Sequence, residues 1–272
     1  MANYRPAQYW ESLLSRQYDL AGVGYPDLPV EFNAALYAQM LRSVRRLITR
    51  HGVRIAGADV LEIGPGTGFW IDEWTRARAA SVTGVDITAS AVQHLAQRFP
   101  TQTFLQADVG DESFDVPGTF DVVSVMSVLL HIVDDHGFER ALANIAARLR
   151  PGGVFLLMEP LVVKSYYGAP FTAESNSKAR TIGEWRAALG TAGLVLVDQQ
   201  PVTALLANVC DTKRQWGFRL HEQYWYRLTR FVQKRPAAAG PLSRALGQLD
   251  RAMLGAGIAP SAKVMLVRHK GA

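Results

Sequence analysis

Apolar residues recur along the chain at two different spacings, and each change of spacing marks an element. Between Val30 and Arg50, the residues Leu36, Met40, Leu41, Val44, Leu47 and Ile48 fall on one side of a helix that Gly52 stops. Pro6 opens a shorter helix through Leu14, and the chain loosens from Asp19 to Pro29. From residue 58 to residue 159 short apolar runs alternate with helical stretches, as a parallel sheet requires. Val60–Ile63, Ser81–Asp86, Phe104–Asp108 and Phe120–Ser124 are the first four strands, and the turn Leu149-Arg150-Pro151-Gly152-Gly153 leads into a fifth. The longest apolar run, Val122 to Val133, is too short to span a bilayer and reads as a central buried strand entering an active-site loop.

The same pattern continues toward the C-terminus. Thr181-Ile182-Gly183-Glu184 has the form of a capping box and starts a helix reaching Ala192. Leu194–Asp198 reads as strand six and Lys263–His269 as strand seven. About 60 residues separate those two strands, far more than a hairpin needs. Within them Leu220, Tyr224, Leu228 and Phe231 recur at helical spacing, as do Leu242, Leu246, Leu249 and Met253, with Ala237–Pro241 between the two sets. This divides the chain into an N-terminal helical lid (1–52) and an α/β domain (53–272) with a helical insertion at about 204–258.

Chemistry concentrates where the strands end. The first strand closes on Glu62 and enters Gly64-Pro65-Gly66-Thr67-Gly68, glycines at alternate positions that let backbone turn sharply and approach a ligand beside a helix N-terminus. The second strand ends in Asp86, 24 residues after Glu62, where a carboxylate can hold a ribose diol. Asp108 closes the third. Either acid could instead serve as a plain helix cap, and Asp86 followed by Ile87-Thr88 suits that role. A dinucleotide would set its pyrophosphate against Glu62, and its usual loop is G-x-G-x-x-G rather than the G-x-G-x-G found here. S-adenosylmethionine has no phosphate, and an acid-lined crevice favours its ammonium and sulfonium.

With five motifs in order, residues 58–159 resemble the core of the class I S-adenosylmethionine-dependent methyltransferases: Val60 to Phe69, Gly84-Val85-Asp86, Gln106-Ala107-Asp108, Phe120 to Ser124 and Leu149 to Leu156. The resemblance implies a Rossmann-like, seven-stranded, mostly parallel sheet with strand seven antiparallel and helices on both faces. It implies that Glu62, Gly64, Gly66, Thr67 and Gly68 surround the methionine part and that Asp86 with Ile87 binds the ribose. Asp108 with Val109 would meet the adenine amine, with Met126 or Ser127 beside the ring. The product would be S-adenosylhomocysteine.

Composition narrows the setting. Hydrophobic content of 49% and charged content of 19% describe a globular protein. The single cysteine, Cys210, excludes an intrachain disulfide, and Met1-Ala-Asn-Tyr-Arg-Pro lacks the apolar run of a signal peptide, so a cytoplasmic location is expected. Residues 204–272 hold twelve Lys or Arg against three Asp or Glu. That excess marks either solvated helix faces or attraction to an anionic substrate, carrier domain or membrane surface. No nucleic-acid partner, membrane span or metal site is expected, and oligomeric state is left open, a homodimer included.

Acceptor chemistry falls to a few side chains. His131 follows strand four at the sheet's carboxyl edge, and its intrinsic pKa suits a general base. Some small-molecule methyltransferases have a histidine there, and a hydrogen-bonded structural role fits equally. Tyr18 and Glu159 are further catalytic candidates. Tyr25, His131, His221 and Trp225 are candidates to wall the acceptor, with Trp216, Phe218 and Tyr224 from the same insertion, and Tyr166 and Tyr167 lie on a loop long enough to gate it. Asp134 and Asp135 read as caps of the following helix. The expectation is methyl transfer to a small-molecule acceptor, a natural-product or sugar hydroxyl before a small amine. A cofactor-binding protein without catalysis and an NAD-dependent oxidoreductase are the alternatives; the latter is disfavoured by Glu62 and the loop spacing.

Overall fold

A computed structural model of the chain describes residues 4–163 and 176–271, so the candidates Tyr166 and Tyr167 lie outside the described residues. Seven strands make the main sheet: β1 (Asp59–Ile63), β2 (Ser81–Asp86), β3 (Thr103–Gln106), β4 (Phe120–Met126), β5 (Leu149–Glu159), β8 (Leu194–Pro201) and β9 (Lys263–His269). Their order is β3-β2-β1-β4-β5-β9-β8, and only β9 runs antiparallel to its neighbours. Strand order reverses between β1 and β4, which opens a crevice at the carboxyl ends of those strands. A small ladder joins β6 (Leu161–Val162) to β7 (Arg180–Thr181).

Alternation along the strands feeds two cores, one on each face. Leu61, Val123, Phe155, Leu157, Met265 and Val267 point to one side, against α5 (Asp135–Arg148) and α6 (Ile182–Thr191). Val60, Val122, Leu156, Met158, Val264 and Leu266 point to the other, against α2 (Val30–Arg50) and α3 (Phe69–Arg76). A strand buried on both faces reads as a continuous apolar run, which is why these segments stood out. Val44 and Leu47 of α2 are fully buried in the second core, so the expected lid boundary at residue 52 cuts through packed side chains. The part of the N-terminus lying over the crevice is α1 (Pro6–Leu14), whose neighbour is α4 (Ala89–Arg98).

Most boundaries match the sequence reading, and the departures have local causes. β3 stops at Gln106, because its pairing with β2 ends at Asp86↔Gln106; Asp108 sits in the loop beyond. β8 runs on to Pro201 after a bulge between Leu196 and Asp198. Asp134 caps α5, accepting from Gly137 N at 2.6 Å, whereas Asp135 pairs with Lys178 (2.7 Å) and Arg180 (3.1 Å). The Thr181–Glu184 capping box is present as expected.

The insertion forms α7 (Gln215–Lys234) and α8 (Ala239–Gly255). Gly240 and Pro241 lie inside the first turn of α8, where the missing N–H needs no partner. On α7 the buried residues are Phe218, Leu228 and Val232, while Leu220 and Phe231 are exposed. The helix carries two apolar stripes, and periodicity alone does not say which faces inward.

Candidate active site

The crevice encloses a cavity of about 350 Å³. Gly64–Thr67, Asp86–Ile87, Asp108–Val109 and Met126–Val128 line it, with His131 at one side and Tyr4, Trp10 and Leu14 across the top. Of the cofactor residues expected from sequence, only Glu62 and Gly68 are not on its wall.

Glycine is required in the loop for protein reasons as well as for ligand approach. Gly64 has φ +68°, and a Cβ there would lie 2.3 Å from Val128 Cγ2. Gly68, at φ +85°, begins α3, and its Cβ would meet Leu95 at 2.6 Å. Left-handed backbone and crowding act together at both positions.

Glu62 lies fully buried under the loop, in register with Ser124 of β4. The Trp74 indole donates to its Oε2 at 2.7 Å, while Oε1 has no partner among the described residues. Burial pushes its pKa up to about 8, against the pull of Ser124 and Trp74; the Ser124 hydroxyl lies beside it outside hydrogen-bond geometry. Held at about 8, the carboxyl keeps its proton at neutral pH, and the expected repulsion of a pyrophosphate loses its force. Glycine spacing alone then separates the two cofactor classes.

Asp86 organises its surroundings. Its Oδ2 accepts from Gly66 N (3.1 Å), and its Oδ1 accepts from the Thr88 amide (2.9 Å) and hydroxyl (2.7 Å). Burial raises its pKa, and these donors oppose the rise. Thr88, not Asp86, is the helix cap of α4. Asp108 accepts from Gly110 N at 2.8 Å through Oδ1.

His131 ends a single 3-10 turn, Leu129–His131, after β4. Its Nδ1 lies 2.7 Å from the Asn176 carbonyl. A carbonyl only accepts, so Nδ1 carries the hydrogen and Nε2 the lone pair. Burial lowers the pKa, which keeps the ring neutral near pH 7. Trp10 packs edge-on to the ring with centroids 4.9 Å apart. The turn is held from below by Glu159, which accepts from the amides of Val128 (3.0 Å), Leu129 (2.7 Å) and Leu130 (3.0 Å). Burial pushes Glu159 up to about 8 despite those donors. It does not line the cavity, so its role is to position the loop, in place of the catalytic role read from sequence. Ser127, just ahead, has φ +62°, a strained value at the crevice edge.

Other expected residues are elsewhere. Tyr18 donates to the Gly66 carbonyl at 3.0 Å and stacks on His94, bracing the glycine loop from outside the cavity. The Tyr25 hydroxyl accepts from Asn208 N at 2.9 Å, and its ring meets Trp225 at 4.9 Å. His221 contacts the Ala207 carbonyl at 3.2 Å. Tyr25 and Trp225 tie the N-terminal segment to the insertion and His221 bonds within the insertion; none of them, nor Tyr18, Trp216, Phe218 or Tyr224, lines the crevice. Sequence reasoning missed Tyr4, Trp10 and Arg140, which do line it. The amphipathic α1 was legible, but nothing local showed which element it would cover.

A doubly wound sheet in this order, with strand-end acids and a glycine loop at its switch point, defines the class I methyltransferase fold. Residues 60–153 match a family model described as a methyltransferase domain. The chain is 34% identical over 132 residues to a ubiquinone biosynthesis O-methyltransferase of Nitrosospira multiformis, covering 47% of this chain and 53% of that protein. The chain spans about half the length of the curated relatives it matches. Among solved structures, DhpI bound to S-adenosylhomocysteine superposes with a TM-score of 0.55 at 17% identity, covering 97% of this chain and 95% of that one. SpnF, a cyclase, superposes at 0.51 with 20% identity, covering 84% and 80%. Residues 60–153 thus match a methyltransferase domain, and the chain has the fold of the class I S-adenosylmethionine-dependent methyltransferases.

Proposed function

We propose that the chain binds S-adenosylmethionine in this crevice and transfers its methyl group to a small molecule, a natural-product or sugar hydroxyl in preference to an amine. One observation carries the reading: strand ends far apart in sequence bring Gly66, Asp86, Asp108, Met126 and His131 to one cavity. The residues suit the cofactor. Glu62 Oε1, buried under the loop with no partner among the described residues, is matched through water to a cationic ligand, whose charge favours loss of the Glu62 proton. Asp86 retains accepting lone pairs for a ribose hydroxyl, and Asp108 is placed for an amine.

Bound there, the cofactor supplies an electrophilic methyl on a sulfonium that departs as a neutral thioether. The chain aligns the acceptor, excludes water with α1 and takes a proton. Alignment supplies most of the acceleration in a displacement of this kind. His131 Nε2, unprotonated and on the crevice wall, takes the acceptor's hydroxyl proton, a contribution of roughly 10²–10⁴-fold. A cytoplasmic setting belongs to the same reading and rests on Cys210, a buried free thiol.

Calorimetric titration with S-adenosylhomocysteine, with NAD as control, is the test. Micromolar binding of the first and none of the second is expected. A folded protein that binds neither, or binds NAD instead, overturns the proposal.

A further inference from the structure

Among the described residues the second stripe of α7 has no partner. Its inner stripe, Phe218, Leu228 and Val232, packs with Trp225 against the N-terminal segment and α8. At about 100° per residue, Trp216, Leu220, Tyr226 and Phe231 fall on the opposite side, 65%, 63%, 57% and 41% exposed. Arg219, Arg227, Arg230 and Lys234 share that side and are all exposed. Among the described residues none of these four cations is paired with a carboxylate, and the helix's one acid, Glu222, lies at the edge of the face. Arg230 sits over the Tyr226 ring, 5.4 Å from its centroid.

We propose that this outer face of α7 docks the protein on an anionic lipid surface, with the helix lying in the plane of the interface. Single exposed apolar residues are ordinary, but four on one helical face, interleaved with four cations, are not. Aromatic and leucine side chains gain at the boundary between headgroups and acyl chains, while Arg and Lys reach the lipid phosphates. The charge of the face selects among occupants. A second copy would meet it through the same patch and set cation against cation. Nucleic acid would satisfy the arginines, but Leu220 gains nothing from a phosphodiester backbone, and the face is a convex ridge rather than a groove. Among the described residues no helix is long and apolar enough to cross a membrane, so the attachment is peripheral. The inference is independent of methyl transfer.

Co-sedimentation of the full chain with vesicles tests it. Binding is expected to vesicles of equal parts phosphatidylglycerol and phosphatidylcholine, not to phosphatidylcholine alone, and it should weaken as salt rises. Arg227→Gln and Arg230→Gln should each weaken it about fivefold, and about 25-fold together. Trp216→Ala with Leu220→Ala should abolish it at low salt without lowering the melting temperature, since neither side chain is buried. Equal binding by the variants overturns the proposal, as does absence of vesicle binding. So does a dimer that these substitutions dissociate, or retention of RNA or an acidic carrier domain in place of vesicles.

Discussion

A carboxyl held at about 8 keeps its proton at neutral pH until a positive group approaches, and Glu62 is in that position. The unfolded chain releases this proton near the ordinary value for glutamate, so between the two values the native state binds more protons than the unfolded one. Its contribution to stability is therefore intact at acid pH and lost as pH rises toward 8. Glu62→Gln removes that titration and keeps an acceptor for Trp74. The melting-temperature difference, variant minus wild type, should be smallest near pH 5 and grow to a plateau above pH 8; a difference independent of pH would disprove the buried titration. His131 has the opposite sense. Its depressed pKa leaves the base form dominant at neutrality, so turnover should hold through neutral pH and fall only on the acid side of histidine's ordinary range. His131→Gln should lower kcat by roughly 10²–10⁴-fold, erase the acid limb and leave S-adenosylhomocysteine affinity nearly unchanged. An unaltered rate removes it as the base. Asp86→Ala should weaken that affinity by about 100-fold or more, since it deletes charged hydrogen bonds and frees the Gly66 amide. Retained affinity would sink the ribose assignment. The types and spacing of these acids were readable because each ends an apolar run. What they bond was not, because Trp74, Ser124 and Asn176 meet them only in the fold.

Elements were legible where the cause is local, and their uses were hidden where it is distant. The periodicity of α2, the capping box of α6 and the apolar runs of the strands each draw on neighbours within a few residues. Glu159 is the counterexample: it reads as the end of β5, yet it works on amides about 30 residues earlier. Its removal in Glu159→Ala strands one buried donor, Leu129 N, at a cost of about 1–3 kcal/mol, and two part-buried donors that water can reach at a smaller cost. Denaturation should show a loss of at least about 1 kcal/mol. Glu159→Gln retains an acceptor and should lose less; equal losses would mean that the latch is ordinary packing. The loop and the β4 turn are coupled by the same logic. A methyl at Gly64 meets strained backbone and Val128 together. Gly64→Ala should destabilise the chain by more than the ~1–2 kcal/mol of left-handed backbone. Adding Val128→Ala should recover the steric part and leave the backbone part, a non-additivity that a double-mutant cycle reads directly. The same distinction explains α7, where two apolar stripes carried the same period and only tertiary contacts chose between them.

At the scale of the molecule, the open matter is where the N-terminal part ends and the sheet domain begins. Sequence alone placed the boundary at residue 52, because helix 30–50 precedes the first strand and no motif crosses it. Burial argues for a different division. Phe32, Leu36, Val44 and Leu47 of α2 are all nearly or fully inaccessible, and Gln39 reaches the Gly247 carbonyl of α8 at 2.8 Å. At about 1.5–3 kcal/mol for each buried side chain, those four contribute roughly 6–12 kcal/mol, which rivals the whole net stability of an ordinary domain. α1 is another matter. Leu14 is its one buried residue, and the helix is held to α4 by a hydrogen bond from Ser90 to Glu11. Deleting residues 1–15 should therefore leave a cooperative fold with a modestly lower melting temperature. Affinity for S-adenosylhomocysteine should fall, because Tyr4, Trp10 and Leu14 leave the cavity wall. Deleting residues 1–52 should yield no cooperative transition at all, since the face of β8 and β9 that α2 covers would be bare. Calorimetric melts of the two truncations decide between the divisions. A folded chain starting at residue 53 would make α2 an appendage and restore the boundary drawn from sequence; a folded chain starting at residue 16 beside an unfolded one starting at 53 makes α2 part of the domain and α1 the movable cover.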